Sequence, residues 1–313
     1  MKKTAYIFQD DPPVPWYSLF FLILIFGAGL FIGQFLGLLF SFFNTDLRID
    51  ELVSLISPPL TSEKRLPLLL IQGFGTLGGF IAGGIIYLQW IERYPPVNLF
   101  SARNLSFYTL LITLVMVISF MFVNTFFIDW NADVSFPDFM REFESWAMEK
   151  EEELKRVTEF LTDFSSFGQF LLGFLVIAIL PAIGEELIFR GILQNKLHVY
   201  LKNIHLAVWI SAILFSGFHI QFYGFVPRLM LGGLFGYMYA WSRNLWYPII
   251  GHFINNGFTL IMLYLYQTGS INVNIEEEEV YPLSVIAIFA IIFAYMMISF
   301  RRKVKEEPVE NYG

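Results

Sequence analysis

WYSLFFLILIFGAGLFIGQFLGLLFSFF, Trp16–Phe43, carries no charged side chain from end to end. A helix rises about 1.5 Å per residue, so about 20 apolar residues cross a hydrocarbon core of about 30 Å. This stretch is longer than that, and longer than the apolar region of a secretory signal. The polar, proline-bearing Met1–Pro15 ahead of it is also unlike a signal's basic start, so the stretch is expected to stay in place as a span. Seven more such segments follow: Leu66–Trp90, Phe107–Ile128, Gly168–Leu197, His205–Phe222, the short Gly-rich Leu229–Trp241, Trp246–Gln267 and Pro282–Phe300. The fold class predicted from them is an all-α, polytopic membrane bundle of about eight transmembrane helices.

Composition agrees. Hydrophobic residues make up 56% of the 313, aromatic residues 19% and charged residues 15%, and mean hydropathy is +0.59, which excludes an ordinary water-soluble domain. A net charge of -7 argues against nucleic acid as a partner. The absence of cysteine removes disulfides, thiol nucleophiles and Cys-ligated zinc. Arg301, Arg302 and Lys303 follow the last apolar run at once, and such clusters stay on the cytoplasmic side. Both termini are therefore expected to be cytoplasmic, with the acidic Glu276–Glu279 loop outside.

Organisation follows from a compositional shift near Ser166. Residues 1–166 form a three-span part, and residues 167–313 form a second part with five spans and a basic tail. Between the third and fourth segments, residues 129–166 mix Phe139, Phe143, Trp146, Leu154, Phe160 and Leu161 with many charges, the pattern of an amphipathic interfacial helix. A surface connector is the plainer reading of it, and a lid over substrate access the sharper one. Glycines at four-residue spacing (Gly29, Gly33, Gly37; Gly75, Gly79, Gly83; Gly232, Gly236) are read as close helix packing.

Ionisable groups inside a span cost a few kcal/mol or more each, so they need partners or a purpose. PAIGEELIFR sets Glu186 and Arg190 at i and i+4 on one helical face, while Glu185 is turned about 100° away. Arg190 can then neutralise one carboxylate and leave the other available. FSGFH contributes Phe215 and His219. GHFINN contributes His252 and Asn256 on one face, where they can donate two hydrogen bonds toward one point, as an oxyanion requires. His198 and His205 are assigned to a solvated loop. Counting residues from a turn at Tyr200, Glu185 and His219 come within about 6 Å in depth. Counting from a turn at Asn244 leaves His252 about 10 Å shallower, a mismatch that tilt or a break at Pro248 would have to absorb. One carboxylate, two imidazoles and an amide suit hydrolysis. Either Glu185 deprotonates water, or Glu185, His219 and His252 ligate a divalent ion in the His2Glu pattern of catalytic zinc. Paired GxGD or YD aspartates, HExxH and a P-loop are all absent.

EELIFR (Glu185–Arg190), FSGFH (Phe215–His219) and HFINN (His252–Asn256) resemble, in order and on successive segments, the EExxxR, FxxxH and HxxxN/D motifs of the CPBP family. That family holds the type II CAAX prenyl endopeptidases and the bacterial Abi and bacteriocin-processing proteases. The likeness spans about Gly168–Gln267. It implies an intramembrane endopeptidase of a bacterial inner membrane, acting on a membrane-associated polypeptide. By the same likeness Glu185 activates water with His219, Glu186, Arg190 and Phe215 support them, and His252 with Asn256 stabilises the oxyanion. Metal-dependent and metal-free glutamate mechanisms both stay open, as does oligomeric state. The competing classes are a non-enzymatic immunity or scaffold protein, and a proton-coupled transporter, since buried carboxylates and histidines also suit proton relays.

Overall fold

The structure is a computed structural model that describes residues 15–45, 55, 60–100, 105–272 and 281–306. The Glu276–Glu279 loop, expected above to lie outside the membrane, is not among the described residues. Among these residues the chain is helical with no strand, and the main elements are α1 (Ser18–Asn44), α2 (Ser62–Ile91), α3 (Phe107–Ala132), α4 (Arg141–Thr162), α5 (Phe167–Leu201), α6 (Ile204–Phe218), α7 (Phe225–Ser242), α8 (Trp246–Gln267) and α9 (Leu283–Glu306). Helices α1, α2, α3, α5, α8 and α9 are each long and apolar enough to cross a membrane. The fifth and sixth expected segments are the shorter helices α6, with 15 residues, and α7, with 18.

The two ends of the α6 segment explain its length. Asn203 caps the start, its side chain accepting from the backbone N–H groups of His205 and Leu206. At the other end His219 closes the last turn and Ile220 adopts φ 54°, a left-handed conformation that costs a β-branched residue about 1–2 kcal/mol. The helix thus ends at Phe218 and not at Phe222. His198 belongs to the last turn of α5 and is half-buried, and His205 opens α6, so neither lies in a loop as expected.

Helices α1 and α2 meet along the glycine stripes. A Cβ at Gly29 would stand 2.3 Å from the Gly78 carbonyl oxygen, and one at Gly33 would stand 2.2 Å from that of Phe74. Only backbone against backbone fits there, which is how helices bind closely where lipid offers no hydrophobic driving force. On the other flank α3 and α9 pack through aromatic pairs, with Phe122 and Phe289 stacked at 4.0 Å. Between these flanks sit α5, α6, α7 and the first half of α8, whose core includes Phe189, Ile192, Phe215, Tyr239 and Leu245.

The amphipathic α4 lies across one end of the bundle. Arg65 at the start of α2 donates to the Phe160 carbonyl at 2.9 Å and pairs with Asp163 at 2.9 Å. Gln267 at the end of α8 donates to the Thr162 carbonyl at 3.0 Å. The side chains of Phe139, Trp146 and Met148 remain exposed, as an interfacial helix requires.

Candidate active site

Helix α5 supplies the first motif. Glu186 is completely enclosed, and its Oε1 accepts from Arg190 Nη1 at 2.8 Å. Arg190 is almost wholly buried too. Its Nη2 donates to the Gly232 carbonyl of α7 at 2.9 Å, and its guanidinium lies 4.6 Å over the Phe215 ring and 5.6 Å from that of Phe235. A planar cation between two aromatic faces, with carbonyl and carboxylate acceptors, is a low-cost way to bury a guanidinium. The i, i+4 pairing expected from the sequence is therefore formed, and Phe215 is its packing partner. Around it the helix runs with i→i+5 bonding over Leu187–Gln194, a local widening that recurs at functional sites.

His252 completes the cluster from α8. Its Nδ1 meets the same Glu186 Oε1 at 2.9 Å, and its ring stacks on Phe235 at 5.4 Å. Because a carboxylate only accepts, Nδ1 carries the proton there, and Nε2 is turned away from Glu186. That Nε2 faces Glu185 Oε2 at 3.9 Å. Glu185 itself is 14% exposed, against 0% for Glu186. Adjacent glutamates thus take different surroundings: one locked, one partly reachable. A separation of 3.9 Å exceeds a direct hydrogen bond and is one that a single water oxygen can bridge.

The depth mismatch expected for His252 does not arise, and its cause is local. The α7–α8 turn is not at the surface, since Asn244 and Leu245 are both fully buried and the Leu245 N–H donates to the Leu99 carbonyl at 2.9 Å. With the turn sunk beneath the Pro96–Leu99 segment, α8 starts deep, and six residues suffice to carry His252 to Glu185.

His219 stands just past the end of α6. Its Nδ1 is hydrogen-bonded to the Phe215 carbonyl at 3.0 Å, which leaves Nε2 for other partners. Its ring centroid is 5.3 Å from that of Phe215, which is in turn 6.1 Å from that of His252. Phe215 thus contacts both imidazoles. Asn256 donates to the Ile177 carbonyl at 3.2 Å and accepts from Asn255 at 3.1 Å, so one amide N–H remains. As a metal set, Glu185, His219 and His252 offer suitable donor atoms. Among the described residues, however, no three His, Asp or Glu side chains gather closely enough to hold an ion.

Sequence reasoning passed over the residues that close the site from the α4 end. Glu151 of α4 accepts from Gln221 Nε2 at 3.0 Å, and the Gln221 carbonyl oxygen accepts from Arg228 Nη2. The Arg228 guanidinium packs where a Cβ at Gly224 would be, 2.3 Å from Nη1, so a side chain at 224 would displace Arg228. Phe222 packs on Phe136 at 4.8 Å and on Phe143 at 5.8 Å. The available signal was an arginine in FVPR, at the threshold of an apolar segment. A second buried pair also went unread: Lys196 of α5 and Glu92 after α2, at 2.5 Å, with Tyr87 and Ser18 donating to the same carboxylate.

Residues 167–258 match the family model described as type II CAAX prenyl endopeptidase, Rce1-like. All the motif residues above fall inside that match. Among curated proteins, the chain is 30% identical over 82 residues to YpbD of Bacillus subtilis, covering 25% of this chain and 39% of that protein. It is 32% identical over 88 residues to YdiL of the same organism, named as a membrane peptidase, covering 28% and 36%. It is also 30% identical over 91 residues to the membrane-embedded CAAX protease MroQ of Staphylococcus aureus, covering 27% and 36%. The chain spans less than two-fifths of the length of these relatives. No solved structure matches. With helices of this length and apolarity around an Rce1-like segment, the chain is an integral membrane protein.

Proposed function

We propose that the chain is an intramembrane endopeptidase that hydrolyses a peptide bond of a membrane-associated polypeptide, prenylated or bacteriocin-like. The observation that carries this reading is the 3.9 Å gap between Glu185 Oε2 and His252 Nε2, with His252 anchored through Nδ1 on a glutamate that Arg190 holds in place.

In this mechanism Glu185 takes a proton from water as its oxygen bonds to the scissile carbonyl carbon, and the carbonyl π electrons move to oxygen. His219, through Nε2, orients that water. With Nδ1 committed to Glu186, His252 can donate from Nε2 only as an imidazolium. In that form it and the remaining N–H of Asn256 receive the oxyanion. The intermediate then collapses, the C–N bond breaks, and Glu185 returns its proton to the leaving amine. Glu186 and Arg190 are positioning residues. A divalent ion, zinc by donor type, would draw on Glu185, His219 and His252. Without an ion, Glu185 and His219 activate the water by themselves. The basic residues 301–303 are read as cytoplasmic by the positive-inside rule, with both termini on that side, and the likeness to bacterial relatives supports a bacterial inner membrane as the location.

The test uses the purified full chain in proteoliposomes with an S-farnesylated peptide and an unmodified membrane-anchored peptide. The expected result is a cleavage product from at least one, lost in Glu185→Gln. Proton-gradient-driven uptake without any cleavage product would instead establish a transporter. No cleavage and no uptake, with a biological output unchanged by Glu185→Gln and His219→Ala, would establish a scaffold.

A further inference from the structure

Three half-buried side chains are linked at the α4 end of the site: Glu151 of α4, Gln221 in the turn after α6, and Arg228 in the first turn of α7. Gln221 joins the other two. Its Nε2 donates to Glu151 Oε1 at 3.0 Å, and its Oε1 accepts from Arg228 Nη2. Each outer group is then only half used, because Glu151 Oε2 and Arg228 Nη1 are both buried and have no hydrogen-bond partner among the described residues. A buried donor or acceptor left unmade costs about 1–3 kcal/mol, and more when it is charged. Two such atoms flanking one glutamine call for an occupant.

The surrounding backbone is pinned. Ile220 turns the chain back after α6, the Ser216 hydroxyl donates to the Phe225 carbonyl at 2.6 Å, and the Val226 N–H donates to Asn131 Oδ1 of α3 at 2.8 Å. Gly224 has no side chain to meet the guanidinium packed over it. The place is also that of the reaction. Gln221 lies two residues past His219, and Arg228 is close enough to interact electrostatically with Glu185 and His219. The chemistry of the two unmatched atoms selects the occupant. An anion would satisfy Arg228 and be repelled by the bare Glu151 oxygen, and a cation would do the reverse. A group that carries one donor and one acceptor satisfies both. A residue of an extended polypeptide presents its N–H and C=O on the same edge, as it does in a hydrogen-bonded strand pair.

We propose that Glu151 Oε2 and Arg228 Nη1 bind the main chain of the substrate polypeptide, the carboxylate accepting from the N–H and the guanidinium donating to the C=O of one extended residue near the scissile bond. Main-chain hydrogen bonds supply affinity and leave the choice of side chain to other contacts. The substrate then runs between α4 and the turn that follows His219. This inference rests on the protease reading, since the occupant is the substrate of that reading. Glu151 and Arg228 act on binding, whereas Glu185 and His219 act on turnover.

The experiment measures the Kd of the S-farnesylated and the membrane-anchored peptide for the full-length Glu185→Gln protein in proteoliposomes, so that binding is read without cleavage. In a parallel peptide series each backbone amide in turn is replaced by an ester, which removes one N–H. The expected result is one position at which the ester weakens binding about tenfold, the loss of a hydrogen bond to a charged group, with the other positions changed less than about twofold. Adding Glu151→Gln, which can set an amide N–H where Oε2 accepted, should bring that penalty below about twofold. An equal penalty with and without Glu151→Gln would put the main chain elsewhere and overturn the inference. Binding with no ester-sensitive position, or no saturable binding of either peptide, would overturn it as well. Should thermal unfolding show that Glu151→Gln does not fold, Arg228→Gln takes its place. It removes the donor to the C=O and should weaken the all-amide peptide about tenfold, and unchanged binding would overturn the site. Cleavage by the parent protein without an ester-sensitive position sinks this inference and leaves the protease reading standing. A Glu151-dependent ester position with no cleavage by the parent does the opposite.

Discussion

Helix α5 carries two buried ion pairs about ten residues apart, and they differ in what stands beside them. Lys196 and Glu92 are each only 2% exposed, and the carboxylate is filled by Lys196, Tyr87 and Ser18. That cluster closes on itself and ties the ends of α1 and α2 to α5. Glu186 and Arg190 are buried just as deeply, but the next residue along the helix is Glu185, partly reachable and facing an imidazole across 3.9 Å. A buried ion pair alone is scaffolding. A buried ion pair that holds a histidine beside an uncommitted carboxylate is the arrangement the proposed mechanism uses.

The comparison can be broken in four ways. The largest effect is expected from Glu185→Gln, which keeps shape and removes the base. Peptide cleavage should fall by about 10³-fold, while the thermal unfolding midpoint in detergent stays within about 2 °C of the parent. The next is Lys196→Met, which leaves the Glu92 carboxylate buried and unpaired and should cost about 3–5 kcal/mol of stability. Cleavage per folded molecule, measured at a temperature where the variant remains folded, should stay within about twofold. An unfolding titration that found no loss would mean the pair is not enclosed as described.

Glu186→Gln should move both readouts. Its partners Arg190 and His252 lose their shared charge, so stability falls, and activity drops by about 10–100-fold as His252 loses its orientation, as removing an outer-shell partner typically does. If activity fell without any stability change, Glu186 would be the reacting carboxylate and the roles of the two glutamates would have to be exchanged. The smallest effect is expected from Gln221→Ala. It cuts the Glu151–Gln221–Arg228 chain at a half-buried position and should cost about 1 kcal/mol by unfolding titration, with turnover changed less than about threefold.

The spans were legible because charge-free length is the dominant constraint in a membrane. Trp16–Phe43 and Trp246–Gln267 come out within about two residues of the helices α1 and α8. Pairing within one helix was legible too, since the 3.6-residue period fixes Glu186 against Arg190. Contacts between distant segments were not. Nothing local joins Lys196 to Glu92, 104 residues apart, or Glu151 to Gln221. The depth of His252 was misjudged because residue counting assumes that every turn reaches the membrane surface, and the turn at Asn244–Leu245 is sunk beneath Leu99. The end of α6 at Phe218 was missed for a related reason, since Phe222 is apolar yet packs on Phe136 and Phe143 from outside the helix.

The central claim, that Glu185 activates water directly, is tested most directly by single-turnover cleavage in ¹⁸O-water with and without a chelator. The expected product carries one ¹⁸O in its new carboxyl group, is unaffected by the chelator, and is absent with Glu185→Gln. Labelled product from Glu185→Gln, or activity abolished by the chelator and restored by zinc, would contradict it.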